Sequence, residues 1–112
     1  MKSINLEIDM NNYQKHLLVL FMEECCELAQ ATSKCLRFSP EHHQEVTTES
    51  NGDLAYDEAL DLVSIAILLK ESGMDLYPMF SNPVVDEGSL EYIEAKKERV
   101  KKYWRISQEL NP

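Results

Sequence analysis

The sequence predicts an all-α protein, a helical bundle of three main helices completed by oligomerisation. Three observations lead there. An alternating apolar–polar pattern is nearly absent. Three glycines and four prolines are too few for a turn-rich β-sandwich or a P-loop-type fold, and most fall in two connections, residues 39–53 and 72–89. The stretches outside those connections repeat apolar residues at helical spacing. With 112 residues, a single domain over 1–112 is expected.

The first helix is expected over residues 12–37. Leu17, Phe21, Leu28 and Cys35 recur at spacings of four and seven, and Asn11 or Asn12 can cap its start. The second is expected over 54–72, with Asp53 as cap and Gly73 as stop. Leu54, Leu62, Ile65, Leu68 and Leu69 form one face, while Tyr56, Ala59, Leu60, Val63, Ala66 and Ile67 cover the other. A helix apolar nearly all round must be enclosed. Two neighbours from so short a chain enclose it poorly, so copies are expected to pack on one another. The third helix, over 89–109, carries a narrower seam of Leu90, Ile93, Val100 and Trp104, with Ser89 as cap. Residues 1–11 are expected to form a short extended or irregular arm.

Twenty acidic and eleven basic residues give a net charge of −9, and their distribution narrows the function. Residues 96–105 hold six basic residues and one acid, so residues 1–95 carry five basic and eighteen acidic side chains, net −13. That surface repels a nucleic-acid backbone, and the basic decapeptide reads as a solvated helix face. The longest apolar runs, such as 63–69, are too short to span a membrane, and no secretory leader is visible. Cys25, Cys26 and Cys35 form no CxxC pair and fit neither a disulfide framework nor a zinc site. A cytoplasmic location is expected.

Two pairs of acids sit where apolar residues are expected. At roughly 100° of rotation per residue, Glu24 falls among Leu17, Leu20, Leu28 and Ala31, and Glu27 borders that face one turn on. Glu58 and Asp61 flank Leu54 and Ile65 on the second helix. Spacing of i, i+3 stacks each pair, and like charges so placed destabilise a helix by about 0.2–0.5 kcal/mol. An unpaired carboxylate taken out of water costs several kcal/mol more. Lys34 and Arg37 are the nearby cations, and two monovalent groups cannot neutralise four carboxylates. Divalent ions can. An all-oxygen ligand set selects a hard metal, Mg²⁺ or in its place Mn²⁺, and Mg²⁺ commonly pairs with phosphate.

Glu23-Glu24-Cys25-Cys26-Glu27 reads as EExxE and Glu58-Ala59-Leu60-Asp61 as ExxD, with thirty residues between Glu27 and Glu58. In this order and placement the pair resembles the MazG-like, all-α nucleoside triphosphate pyrophosphohydrolases, particularly the short single-domain forms frequent in bacteriophages. The resemblance covers residues 14–73 and includes the segment 29–38, AQATSKCLRF. It implies Mg²⁺ held by Glu24, Glu27, Glu58 and Asp61, with Glu23 orienting a water or binding a further ion. It implies hydrolysis of a nucleoside triphosphate to the monophosphate and pyrophosphate, in control of the nucleotide pool, by a homodimer or homotetramer. A metal-activated water would attack the α-phosphorus, with Glu23 or Glu27 accepting its proton.

Lys34, on a heading similar to that of Glu27, and Arg37 are the candidate phosphate-binding cations. His16, Leu17, Leu20, Phe21 and Tyr56 are candidates for lining a base pocket, whereas His42 and His43 are expected on a polar loop surface. Three other readings compete. A di-iron or di-manganese bundle uses ExxH, and no histidine here has a glutamate three residues before it. Phosphoribosyl-ATP pyrophosphohydrolase uses related metal chemistry on another substrate. A non-enzymatic helical oligomerisation or regulatory protein would leave its acids solvated.

Overall fold

The computed structural model describes residues 10–43, 49–82 and 86–111. Its elements are four helices: α1 (Asn12–Phe38), α2 (Asn51–Glu71), α3 (Pro78–Ser81) and α4 (Glu87–Leu110). Among the described residues the only β-type pairing is a single bridge between His43 and Ser50. The class is all-α. The described residues divide into two compact units, one ending at Ser81 and the other starting at Asn82. Nearly all of the expected arm over 1–11 lies outside the described residues.

Each long helix starts at a short polar side chain. Asn11 accepts the Gln14 amide at 2.8 Å while the Gln14 side chain accepts the Asn11 amide at 3.1 Å, a capping box. Ser50, not Asp53, caps α2: its hydroxyl accepts the Asp53 amide at 3.1 Å, and Asp53 returns the bond to the Ser50 amide at 3.3 Å. The helix therefore begins three residues earlier than expected, because Asp53 fills the reciprocal position of the box. α4 likewise starts ahead of Ser89, whose amide donates to the Asp86 carboxylate at 2.8 Å. That bond holds the Asp86 carboxyl below its ordinary pKa.

α2 stops as the glycine predicts. Gly73 has φ +96°, its amide donates to Lys70 O at 3.0 Å and that of Met74 to Leu69 O at 2.9 Å, a Schellman closure. Beyond it the second connection contains an unexpected turn of helix, α3. Pro78 supplies its first residue without an amide to satisfy, and the ring of Tyr77 just before it stacks on Phe21 at 4.4 Å.

α1 and α2 form an antiparallel hairpin tied at both ends. Near one end the Gln14 side-chain amide donates to Ser72 O at 2.8 Å, and near the other the Asn51 side-chain amide donates to Ser39 O at 3.3 Å. Between these ties Leu17, Phe21, Leu62, Ala66 and Leu69 form the core, with Leu18, Leu20, Leu28, Ile65 and Met74 against it. Each fully buried leucine contributes about 1.5–3 kcal/mol of transfer free energy.

On the second apolar side of α2, Ala66 is buried in the α1–α2 core, while the residues further round lie open within this unit. Tyr56 is 64% exposed, Leu60 45% and Ile67 38%. α4, taken by itself, carries its seam in the open, with Leu90, Val100 and Trp104 exposed. Its basic run is partly neutralised along the helix by Lys97–Glu94 and Lys101–Glu98 pairs at 3.0 and 3.7 Å. Exposed pairs of this kind contribute little to stability.

Candidate functional site

The antiparallel register sets the middle of α1 against the middle of α2 and so brings acids from both helices together. Glu24, Glu27 and Glu58 each place a carboxylate oxygen within 4.8 Å of the other two. Glu24 and Glu58 are half-buried and Glu27 is exposed. One oxygen of Glu24 and one of Glu58 are out of solvent contact and have no hydrogen-bond partner. Asp61 differs from the expectation: its carboxylate is exposed and stands outside the group of three. Its side chain, one methylene shorter than that of glutamate, sits a turn beyond Glu58. Asp61 still acts on the group through its charge.

Burial is the largest effect on both half-buried acids and raises the pKa of each above 4.5. The charges of Glu27 and Asp61 push Glu24 further up. For Glu58 a hydrogen bond to Glu27 adds to burial, followed by the charges of Glu27, Asp61 and Glu24. The protein thus holds negative charge against its own electrostatics, with oxygen acceptors left unused. A hard dication suits that donor set: it offers positive charge and needs no thiolate or imidazole.

Glu27 and Glu58 open onto a cleft of about 390 Å³ between α1 and α2, lined also by Gln30, Ala31, Lys34, Asn51 and Leu54; Glu24 does not line it. Lys34 lines the same cleft, almost two turns beyond Glu27 on α1. Lys34 and Asn51 also border an adjoining pocket of about 280 Å³ with Phe38 and His42. Arg37 lines neither and lays its guanidinium over the Phe38 ring at 5.2 Å. Glu23 lies on the other flank of Glu27, in a groove they share with Val19, Met22, Cys26 and Gln30.

The residues expected to line a base pocket lie elsewhere. Leu17 and Phe21 are core, Leu20 packs against that core, and the face of Phe21 is taken by Tyr77. His16 and Tyr56 are exposed, and none of the five lines the cleft. The two cavities also include Gln30, Asn51 and Phe38, which the sequence does not single out, and His42, which is exposed as a loop residue. Asn51 read as a turn residue, and only its tertiary bond to Ser39 identifies it as the buried first residue of α2.

Comparison of the chain with models of known families, with characterised proteins and with solved structures yields no match. No helix of the described residues is long and apolar enough to cross a membrane.

Proposed function

We propose that this chain is a Mg²⁺-dependent, MazG-like nucleoside triphosphate pyrophosphohydrolase that works in the cytoplasm as a homodimer or homotetramer. The observation that carries this reading is the convergence of Glu24, Glu27 and Glu58 oxygens within 4.8 Å, beside a cleft that also contains Lys34. The unpartnered buried oxygens of Glu24 and Glu58 support a cation as the missing partner. The open apolar residues Tyr56, Leu60 and Ile67 of α2 support packing against a second copy.

Glu24, Glu27 and Glu58 would hold the ion, with Asp61 adding negative charge beside it; Mn²⁺ would serve in its place. A bound dication supplies charge neutralisation for a polyphosphate and makes water a stronger acid. Lys34 binds a non-bridging phosphate oxygen and orients the chain of phosphates along the cleft. Glu27, exposed and bordering both grooves, accepts the proton of the water that attacks the α-phosphorus. Glu23 orients that water from the flanking groove. The half-buried placement of Glu24 and Glu58 would limit the competition of bulk water for their oxygens.

Incubation with canonical nucleoside triphosphates and Mg²⁺ in ¹⁸O-labelled water tests the reading. The expected products are monophosphate and pyrophosphate, with the label on the monophosphate. Diphosphate plus phosphate, or label on pyrophosphate, would overturn attack at the α-phosphorus.

A further inference from the structure

The pocket beyond Lys34 has features that an ion-and-phosphate site does not need. Its walls are the Phe38 ring, the His42 ring, Lys34 and Asn51. The two rings stand 5.8 Å apart between centroids, tilted by 32°, and both side chains are exposed on the pocket side of the α1–α2 connection. They present an aromatic wall at the end of a cleft whose other end is acidic. Glu27 and Phe38 are eleven residues apart on α1, which at 1.5 Å rise per residue separates the acids from the wall by roughly 16 Å.

Asn51 joins the two cavities and is only 1% exposed. Its amide orientation is fixed by its partner: Ser39 O can only accept, so Nδ2 donates there and Oδ1 is left over. Oδ1 is buried and has no hydrogen-bond partner. A buried acceptor without a donor costs about 1–3 kcal/mol, and a ligand that brings an N–H recovers it.

The corner is also rigid. The Asn51 amide donates to His42 O at 2.8 Å, the Gly52 amide to Pro40 O at 2.7 Å and the Ser39 amide to Cys35 O at 2.9 Å. Ser39 itself is held at φ 81°, ψ 153°, a conformation that only glycine adopts readily. A side chain at Gly52 would meet Pro40 O at 3.2 Å, so the loop and the start of α2 are in close contact. Strain maintained by several bonds around a pocket is a hallmark of pre-organisation.

We infer that Phe38, His42 and Asn51 form the recognition pocket for the base of a nucleotide whose phosphates lie toward Lys34 and the acids. This rests on the pyrophosphohydrolase reading and extends it to the part of the substrate that the acids do not touch. The planar base stacks on the Phe38–His42 wall, and an N–H of its edge donates to Asn51 Oδ1. Arg37 lies over one face of Phe38, which leaves its other face and the His42 ring for stacking; stacking tolerates many bases, whereas the lone acceptor favours those that turn an amino or imino group toward it.

Calorimetric titration of the full chain, with Mg²⁺ present, separates this from the phosphate site. The probes are the α,β-methylene analogues of the four deoxynucleoside triphosphates and, as a ligand without a base, inorganic tripolyphosphate. At least one analogue is expected to bind more tightly than tripolyphosphate by roughly five- to hundredfold, the range for one stacked base. Phe38→Leu and His42→Ala, each at an exposed side chain, should remove most of that advantage and leave tripolyphosphate binding unchanged. Analogues that bind no better than tripolyphosphate, or variants that keep the full advantage, would overturn the base pocket while leaving the phosphate site standing. If neither probe binds, the pyrophosphohydrolase reading fails and the pocket assignment with it. His42→Ala alone, at an exposed side chain whose backbone carbonyl still accepts the Asn51 amide, decides the matter should Phe38→Leu lose its circular dichroism.

Discussion

Removing one acid from the cluster should stabilise the metal-free protein. The oxygens of Glu24, Glu27 and Glu58 lie within 4.8 Å of one another. At that distance two unit charges repel by about 0.9 kcal/mol at the dielectric of water and by about 3.5 kcal/mol at an effective value of 20. Glu27 is exposed, so solvent screens the group and the lower figure governs. Glu58→Gln removes two of the three repulsions and one partly desolvated charge, a gain of about 1–2 kcal/mol. For a domain of this size that is a rise in melting temperature of roughly 5–15 °C in the presence of a chelator. With Mg²⁺ added the order should reverse. A site filled at a hundred times its dissociation constant adds about 2.7 kcal/mol to the wild type, and the variant forgoes most of it. Acid gives an independent reading of the same group. Glu24 and Glu58 have folded-state pKa values raised above 4.5, so the native chain holds these protons more tightly than the unfolded chain. The stabilisation from protonation is fully present below the ordinary value and is lost as pH rises through the raised one. In chelator, the wild type should therefore gain stability relative to Glu58→Gln as pH falls from 7 toward 4.5. Thermal melts by circular dichroism across pH and Mg²⁺ concentration measure all three effects. A variant that melts below the wild type in chelator at pH 7, with no Mg²⁺ response in either, would refute the clustered-charge argument.

Three further outcomes are expected. Leu69→Ala, at a side chain with no exposure, should cost about 2–5 kcal/mol in chemical denaturation, and a loss below 1 kcal/mol would mean the α1–α2 core is packed differently. Ser39→Gly should raise the unfolding free energy by about 1 kcal/mol in chemical denaturation because it relieves a positive-φ backbone, whereas Gly73→Ala, at φ +96°, should lower it by a similar amount. Lys34→Ala should raise KM for a nucleoside triphosphate about tenfold or more in a pyrophosphate-release assay; an unchanged KM would remove Lys34 from phosphate binding.

Local signals were legible and tertiary ones were not. The span of α1 follows from its unbroken apolar period, and the stop of α2 follows from Gly73, since both depend on residues within a turn or two. The start of α2 was displaced because Ser50 and Asp53 both suit a cap, and only the reciprocal bond between them decides which residue lies inside the helix. α3 escaped notice because a four-residue helix has no period to read and depends on Tyr77 meeting Phe21, far away in sequence. Of the four i, i+3 acids, three bring their oxygens together. Which carboxylates meet depends on side-chain length and on the roll of one helix against the other, so Asp61 stands apart from the three glutamates. Asn51 carried no chemical signature at all: its burial arises from a loop carbonyl twelve positions earlier.

The two ties at the ends of the α1–α2 hairpin make the gap between the acids a quantity fixed by chain length. Gln14 is anchored to Ser72 and Ser39 to Asn51, so neither helix can slide along the other without breaking a bond. Inserting one residue into α1 between Gln14 and Glu24 would turn the downstream acids by roughly 100° relative to the anchored start. Inserting one between Glu27 and Lys34 would instead swing Lys34 and Phe38 away from Glu27. Length changes in this hairpin are therefore more damaging to the site than most substitutions.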